Sequence, residues 1–271
     1  METPNDPNFN PYQAPMVNAP SMEAEAYIPG GRTVAAGQGL EWLVAAWRLF
    51  VEAPIIWIVM IVLYAVFYLV LAFAPVLGSL LGYVVYGVIA AGWLAGAHAV
   101  AHGEKLELNH LFAGFRNKTA PLFVLGTVYA AGLLAILLVM AGFLAIGLGA
   151  SGAIGAIMSG DSSQLASIAA TAIMTFLVAL LVGMALLAPL MAALWFAPAL
   201  VYFHNEPPLT ALKVSFFACL KNWLPFLVYS ILLLVLFVIA AIPLGLGLLV
   251  VGPLTFISGY TSYRAVFTGG A

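Results

Sequence analysis

Four stretches of this chain, residues 53–103, 119–160, 162–205 and 222–263, contain no Asp, Glu, Lys or Arg. The longest has 51 residues and the shortest 42. A helix crosses the ~30 Å hydrocarbon layer in about 20 residues, because each residue rises ~1.5 Å. Stretches this long exceed one crossing. Charged residues make up 7% of the chain, where a soluble domain carries about 25%, so nothing is available to cover a water-facing surface. That excludes a soluble enzyme, a secreted disulfide scaffold and a nucleic-acid binder. The net charge of −2 offers no basic field to phosphate backbones, and Cys219 alone cannot form an intrachain disulfide.

Pro75-Val76-Leu77-Gly78-Ser79 interrupts the first stretch and Pro243-Leu244-Gly245-Leu246-Gly247 the last, both near the midpoint. Proline and glycine together are turn chemistry, so both stretches read as helical hairpins. Between 119 and 205 the one charge is Asp161. Two crossings here give six in total; four would give eight. Residues 165–203 would be about 58 Å long as one helix, with Pro189 and Pro198 as the places to kink it. The expected fold is an all-α integral membrane protein with six transmembrane helices as three hairpins, each preceded by a cytoplasmic interfacial amphipathic helix.

Charge sets the orientation. Arg32 and Arg48 precede the first span, Lys105, Arg116 and Lys118 lie between the second and third, Lys213 and Lys221 between the fourth and fifth, and Arg264 ends the sixth. All eight basic residues fall on one side, which the positive-inside rule makes the cytoplasm. Both termini are expected there, and eight spans would give the same answer.

The cytoplasmic joints resemble one another. Ala46–Pro54, Phe112–Pro121 and Phe217–Pro225 each run from aromatic and small residues through a basic residue to a proline. The exits His102-Gly103-Glu104 and His204-Asn205-Glu206 also match. Each entry reads as an interfacial helix whose aromatic side (Trp42, Trp47; Phe112, Phe115; Phe216, Phe217) sinks into the headgroup layer while its basic residue meets anionic headgroups. Trp47, Arg48, Arg116, Lys118, Lys221 and Trp223 are the candidate lipid contacts. The membrane domain then spans 34–267, as repeat one (38–104), repeat two (106–206) and repeat three (209–267). Repeat spacing places the second hairpin turn near Ala141-Gly142, leaving about 142–176 as an outer-face insertion, expected to be partly helical. Residues 1–33, with six prolines, are expected to form a disordered cytoplasmic tail, available to a protein partner.

Few side chains suggest chemistry. His98 and His102 share a helical face, and with Glu104 and His110 they are the candidates for a metal. Interfacial histidines satisfied by headgroups and water are the plainer reading, and no metal or cofactor is expected. Gly149-Ala150-Ser151-Gly152 resembles the serine motif of rhomboid proteases, but that chemistry needs a histidine base and the last two expected spans contain none. Gly78 with Gly82 and Gly92 with Gly96 put small residues on one face of the second span, for close packing within the bundle.

Gly39-Leu40-Glu41-Trp42-Leu43 with Trp47-Arg48-Leu49-Phe50, His110-Leu111-Phe112-Ala113-Gly114-Phe115-Arg116, Asn222-Trp223-Leu224-Pro225-Phe226 and Tyr260-Thr261-Ser262-Tyr263-Arg264 carry a resemblance. Over residues 34–267 the chain resembles an uncharacterised proteobacterial family of small multi-pass inner-membrane proteins, itself distantly similar to the membrane region of glycerophosphodiester phosphodiesterases. The resemblance implies a bacterial inner-membrane location and no activity. The expected role is a non-catalytic membrane module that binds lipid or a partner. The alternative is a carrier or channel for a neutral or amphipathic solute, suggested by Pro189, Pro198 and Pro253 and not ion-coupled, since no carboxylate lies within the spans.

Overall fold

The computed structural model describes residues 27–150, 152 and 165–269, and among them every regular element is helical. Helix α1 (Gln38–Glu52) leads into α2 (Pro54–Ala72), α3 (Pro75–Val84) and α4 (Tyr86–Ala101). A 3-10 turn (Leu108–Phe112) and α5 (Ala113–Arg116) precede α6 (Thr119–Ala150) and α7 (Leu165–Trp195). Then follow α8 (Ala197–His204), α9 (Pro208–Lys221), α10 (Trp223–Ala241) and α11 (Leu248–Phe267). Proline opens α2, α3 and α9. It fits there because its fixed φ is already helical and a first-turn N–H has no helical partner to lose.

Four segments are long and apolar enough to cross a membrane: Pro54–Ala72, Thr119–Gly147, Ile168–His204 and Trp223–Ala241. Counting α3 and α4 as one span bent by 48° makes five, against the six expected. The segment expected as the sixth, α11, falls short because its second half carries Ser258, Tyr260, Thr261, Ser262, Tyr263 and Arg264. All but Arg264 are buried. A helix surrounded by protein can be polar where a lipid-facing one cannot. The bend at Val85 also places the glycine pairs 78/82 and 92/96 on separate helices, not on one continuous face.

The middle region departs from expectation. Helix α6 passes straight through Ala141 and Gly142 and continues to Ala150, about 48 Å in all. It packs antiparallel along α7: Gly132 lies against Leu190, Gly183 against Met140 and Gly147 against Thr175. The described parts of the expected insertion, 142–150 and 165–176, are therefore continuations of two paired helices. Repeat spacing misplaced the turn because it assumed arms of equal length. Ser151 of the Gly-x-Ser-Gly motif and Asp161 lie outside the described residues.

Helix α7 runs unbroken through Pro189 and ends one residue short of α8, at Phe196. The cause is Pro198, which offers no N–H to the Leu194 carbonyl four residues back and whose ring crowds that carbonyl, so it fits only in the first turn of a new helix. Ser215 of α9 fills the gap: its hydroxyl accepts from the Phe196 N–H (2.9 Å) and donates to the Ala192 carbonyl (2.7 Å). It thus stands in for the missing helical bond between those two groups. Ser215→Ala leaves the Phe196 N–H without a partner in a buried place and the Ala192 carbonyl with only the weaker Cys219 thiol (3.4 Å), and is expected to cost about 1–3 kcal/mol, read as a lower unfolding temperature in detergent.

The tail boundary also moves. Residues 1–26 lie outside the described residues, but 27–34 form an ordered strap across the end of the bundle. The N–H groups of Ile28 and Arg32 donate to the carbonyls of Phe267 (2.7 Å) and Val266 (2.9 Å), and Arg32 Nε donates to the Ala265 carbonyl (2.7 Å). The last carbonyls of a helix have no helical partner and carry its negative dipole end, so a strap with free N–H groups and an arginine is held there. Composition missed this because the attraction belongs to the helix terminus, not to the strap. Asn222, fully buried, accepts from the Val34 N–H (2.8 Å) and donates to the Arg32 carbonyl (3.0 Å).

Candidate functional site

Helix α1 turns three faces to three environments. With 3.6 residues per turn, Gly39, Trp42, Leu43, Ala46 and Phe50 share one stripe and are buried. Leu40, Trp47 and Val51 share a second and are each about half exposed. The third carries Gln38, Glu41, Arg48 and Glu52. The buried stripe is tightly seated. A Cβ at Gly39 would collide with the Pro225 carbonyl oxygen, Trp42 packs on Phe226 of α10 with centroids 5.0 Å apart, and the Thr261 hydroxyl donates to the Trp42 carbonyl (2.9 Å).

Between the polar stripe and α11 lies a cavity of about 470 Å³, lined by Gln38, Glu41 and Arg48 from one wall and Tyr260, Thr261 and Arg264 from the other. Small-molecule sites commonly enclose about 300–1,000 Å³. Trp42 also lines it, and its buried indole N–H has no hydrogen-bond partner. The first and last of the four stretches that carry the family resemblance thus converge on one cavity.

Behind Tyr260 runs a polar network. Its hydroxyl pairs with His98 Nδ1 (3.1 Å) on α4, whose ring lies 4.1 Å from that of His102. His102 Nδ1 donates to the His98 carbonyl (2.8 Å), and His204 Nε2 pairs with the Tyr263 hydroxyl. Tyr27 of the strap stacks on His204 at 3.9 Å and donates to Glu206 (3.2 Å). Burial, with the Glu206 charge beside it, pushes the Tyr27 phenol up to about 12, so it remains a donor at neutral pH. The ends of α4, α8 and α11 and the strap therefore meet at one end of the bundle. His110 turns toward its own 3-10 turn, accepting from the Glu107 N–H (3.0 Å), and among the described residues no three His, Cys, Asp or Glu side chains gather as a metal site.

The residues proposed from sequence are dispersed. Arg48 reaches the cavity; Trp47 is half-exposed beside it and stacks on Phe50. Arg116 donates to Asn109 (2.6 Å), and Lys118 enters α6 with φ 60°. Lys221 donates to the Gly30 carbonyl (3.3 Å) of the strap. Trp223 is exposed and lines a separate, apolar groove of about 520 Å³ with Pro189, Trp195, Cys219 and Phe226. Burial pushes the Cys219 thiol up to about 12, which favours the protonated thiol at neutral pH. Trp42, expected to sink into lipid, is buried in protein; the half-exposed aromatics of the joints are Trp47, Phe112, Phe115 and Phe217.

The glycines are points of close approach. Gly78 lies on the Leu71 carbonyl, Gly82 against Tyr68, Gly92 on the Leu111 carbonyl and Gly96 against Leu106 and Trp57. Sequence reasoning did not single out Glu41, Gln38, Tyr260, Thr261 or Arg264 as a site. The spacing 38, 41, 48, 52 was the available signal, a polar stripe on an otherwise apolar helix.

The chain is 28% identical to a probable inner membrane protein of Burkholderia thailandensis, over 86% of its own length and 92% of the relative's. That name accords with the inner-membrane part of the resemblance and gives no support to the part involving glycerophosphodiester phosphodiesterases. No protein-family model and no solved structure matches.

Proposed function

We propose that this multi-span protein, similar to an inner-membrane protein, is a non-catalytic module that binds a phospholipid by its headgroup in the cavity between α1 and α11. One observation carries the reading: Arg48 and Arg264 line a cavity whose α1 wall adjoins the exposed apolar stripe of Leu40, Trp47 and Val51. A lipid needs that adjacency, with charge for the phosphate and apolar surface for the chains. The orphan N–H of Trp42 lacks the kind of acceptor that a phosphate or ester oxygen supplies.

In this reading the chain crosses six times, with both termini in the cytoplasm. The bond between Ile28 and Phe267 supports an even number of crossings, since it joins the two ends of the described chain. Counting the bent α3–α4 pair and α11 gives six, and the positive-inside rule supports the orientation. Each of three units is then a short interfacial segment followed by two crossings. Residues 1–26, ahead of the strap, are the segment offered to a protein partner.

The test is lipid retention. Full-length protein, delipidated stepwise in detergent, is expected to keep one phospholipid per chain in native mass spectrometry. The Arg48→Ala/Arg264→Ala pair is expected to lose it. Equal retention by both proteins would overturn the reading. The groove beside Pro189 favours the alternative carrier, for which solute-dependent thermal stabilisation, unchanged in the arginine variant, is the signature.

A further inference from the structure

A cavity built for an anion alone has no use for a carboxylate, yet this one contains Glu41. Glu41 and Arg48 are seven residues apart on the same stripe of α1, which separates their Cα atoms by about 10 Å along the axis. Gln38 lies one turn before Glu41, at the acidic end, and Arg264 adds a second guanidinium from the facing helix. Two guanidiniums with a carboxylate and an amide one or two turns away match a ligand that carries both signs.

We propose that the cavity selects a zwitterionic phospholipid whose headgroup ends in a primary ammonium, a phosphatidylethanolamine, over an anionic phosphatidylglycerol. The phosphate is held by Arg48 and Arg264, and the ammonium by the Glu41 carboxylate and the Gln38 amide oxygen. The acyl chains lie along Leu40, Trp47 and Val51. An ammonium brings three donors, and these two oxygens are acceptors for them. A trimethylammonium headgroup brings none and favours an aromatic cage. The aromatic best placed to form one, Trp42, is only 1% exposed. The inference rests on the headgroup reading above and adds to it the identity of the headgroup.

The experiment uses the full chain in nanodiscs of equimolar dioleoyl phosphatidylethanolamine and phosphatidylglycerol, with the lipid retained after extraction identified by native mass spectrometry. The natural sequence is expected to keep phosphatidylethanolamine over phosphatidylglycerol by about tenfold, the worth of one charge-assisted hydrogen bond. Glu41→Gln is expected to bring the two near parity with total retention unchanged. Glu41 also lies in the first turn of α1, where its charge interacts favourably with the helix dipole, so a measurement without mutation accompanies it. N-acylation of the ethanolamine removes the ammonium and is expected to abolish the preference of the unaltered protein.

Selective retention that survives both Glu41→Gln and N-acylation would overturn the assignment of the ammonium. Equal retention of the two lipids by the natural sequence, still lost in the Arg48/Arg264 variant, would overturn the selectivity while leaving the headgroup reading standing. Retention indifferent to the arginines would remove both.

Discussion

Asn222→Ala is expected to free residues 27–34 from the end of the bundle and to lower stability by about 1–3 kcal/mol. Asn222 is fully buried and uses both amide protons and its oxygen, accepting from the Val34 N–H and donating to the Arg32 and Ala218 carbonyls. Truncation removes an acceptor and two donors at once while their partners stay in place. Hydrogen exchange of the 27–34 amides should rise to that of an exposed segment, and the unfolding temperature in detergent should fall. Lys221→Ala, at the preceding residue of α9, removes an exposed bond to the Gly30 carbonyl of the same strap and should change stability by no more than about 0.5 kcal/mol. Unchanged protection of the strap in Asn222→Ala would mean that the bonds at Arg32 and Ile28 hold it unaided.

A second large effect is expected at Gly126. A Cβ there would fall inside the Val84 carbonyl oxygen, and a Cβ at Gly87 inside that of Leu122. Helix α6 thus meets α3 and α4 backbone to backbone on either side of the bend at Val85. Neither carbonyl belongs to a flexible side chain, so Gly126→Ala must push the helices apart, at a cost of about 1–3 kcal/mol or more. Gly142→Ala, on the same helix, has nothing within 4 Å and should be neutral or stabilise by up to about 1 kcal/mol. Thermal unfolding of the two variants side by side measures the difference. Equal midpoints would show that α6 has room to shift.

Much of the architecture is legible in the chain because the solvent is severe. A helix in lipid must be apolar for about 20 residues, so charges mark the joints, and the breaks at Phe73–Ala74 and 242–247 fall within a few residues of the prolines and glycines that signal them. The sequence reading erred where protein replaced lipid as the neighbour. Trp42 looks like an interfacial aromatic and is a core residue; the second half of α11, counted from the sequence as part of a lipid-crossing span, is polar and enclosed by protein. The packing glycines were half-visible. The spacing of 78/82 and 92/96 could be read, but Gly87 and Gly126 have no such pattern, because a crossing point between helices distant in sequence has no periodicity.

The candidate site divides the same way. Arg48 was nominated for its place beside a proline turn, and the polar stripe from Gln38 to Glu52 could be counted on a helical wheel. That its Gln38, Glu41 and Arg48 share a cavity with Arg264, 216 positions beyond Arg48, could not. By itself the sequence determined that the chain is helical, spans a membrane and gathers its basic residues at the joints, since those follow from the cost of charge in hydrocarbon. Only the tertiary structure decided which joint meets which, and so placed two arginines and a glutamate around one cavity. Such a meeting depends on long-range packing, which no local pattern of residues encodes.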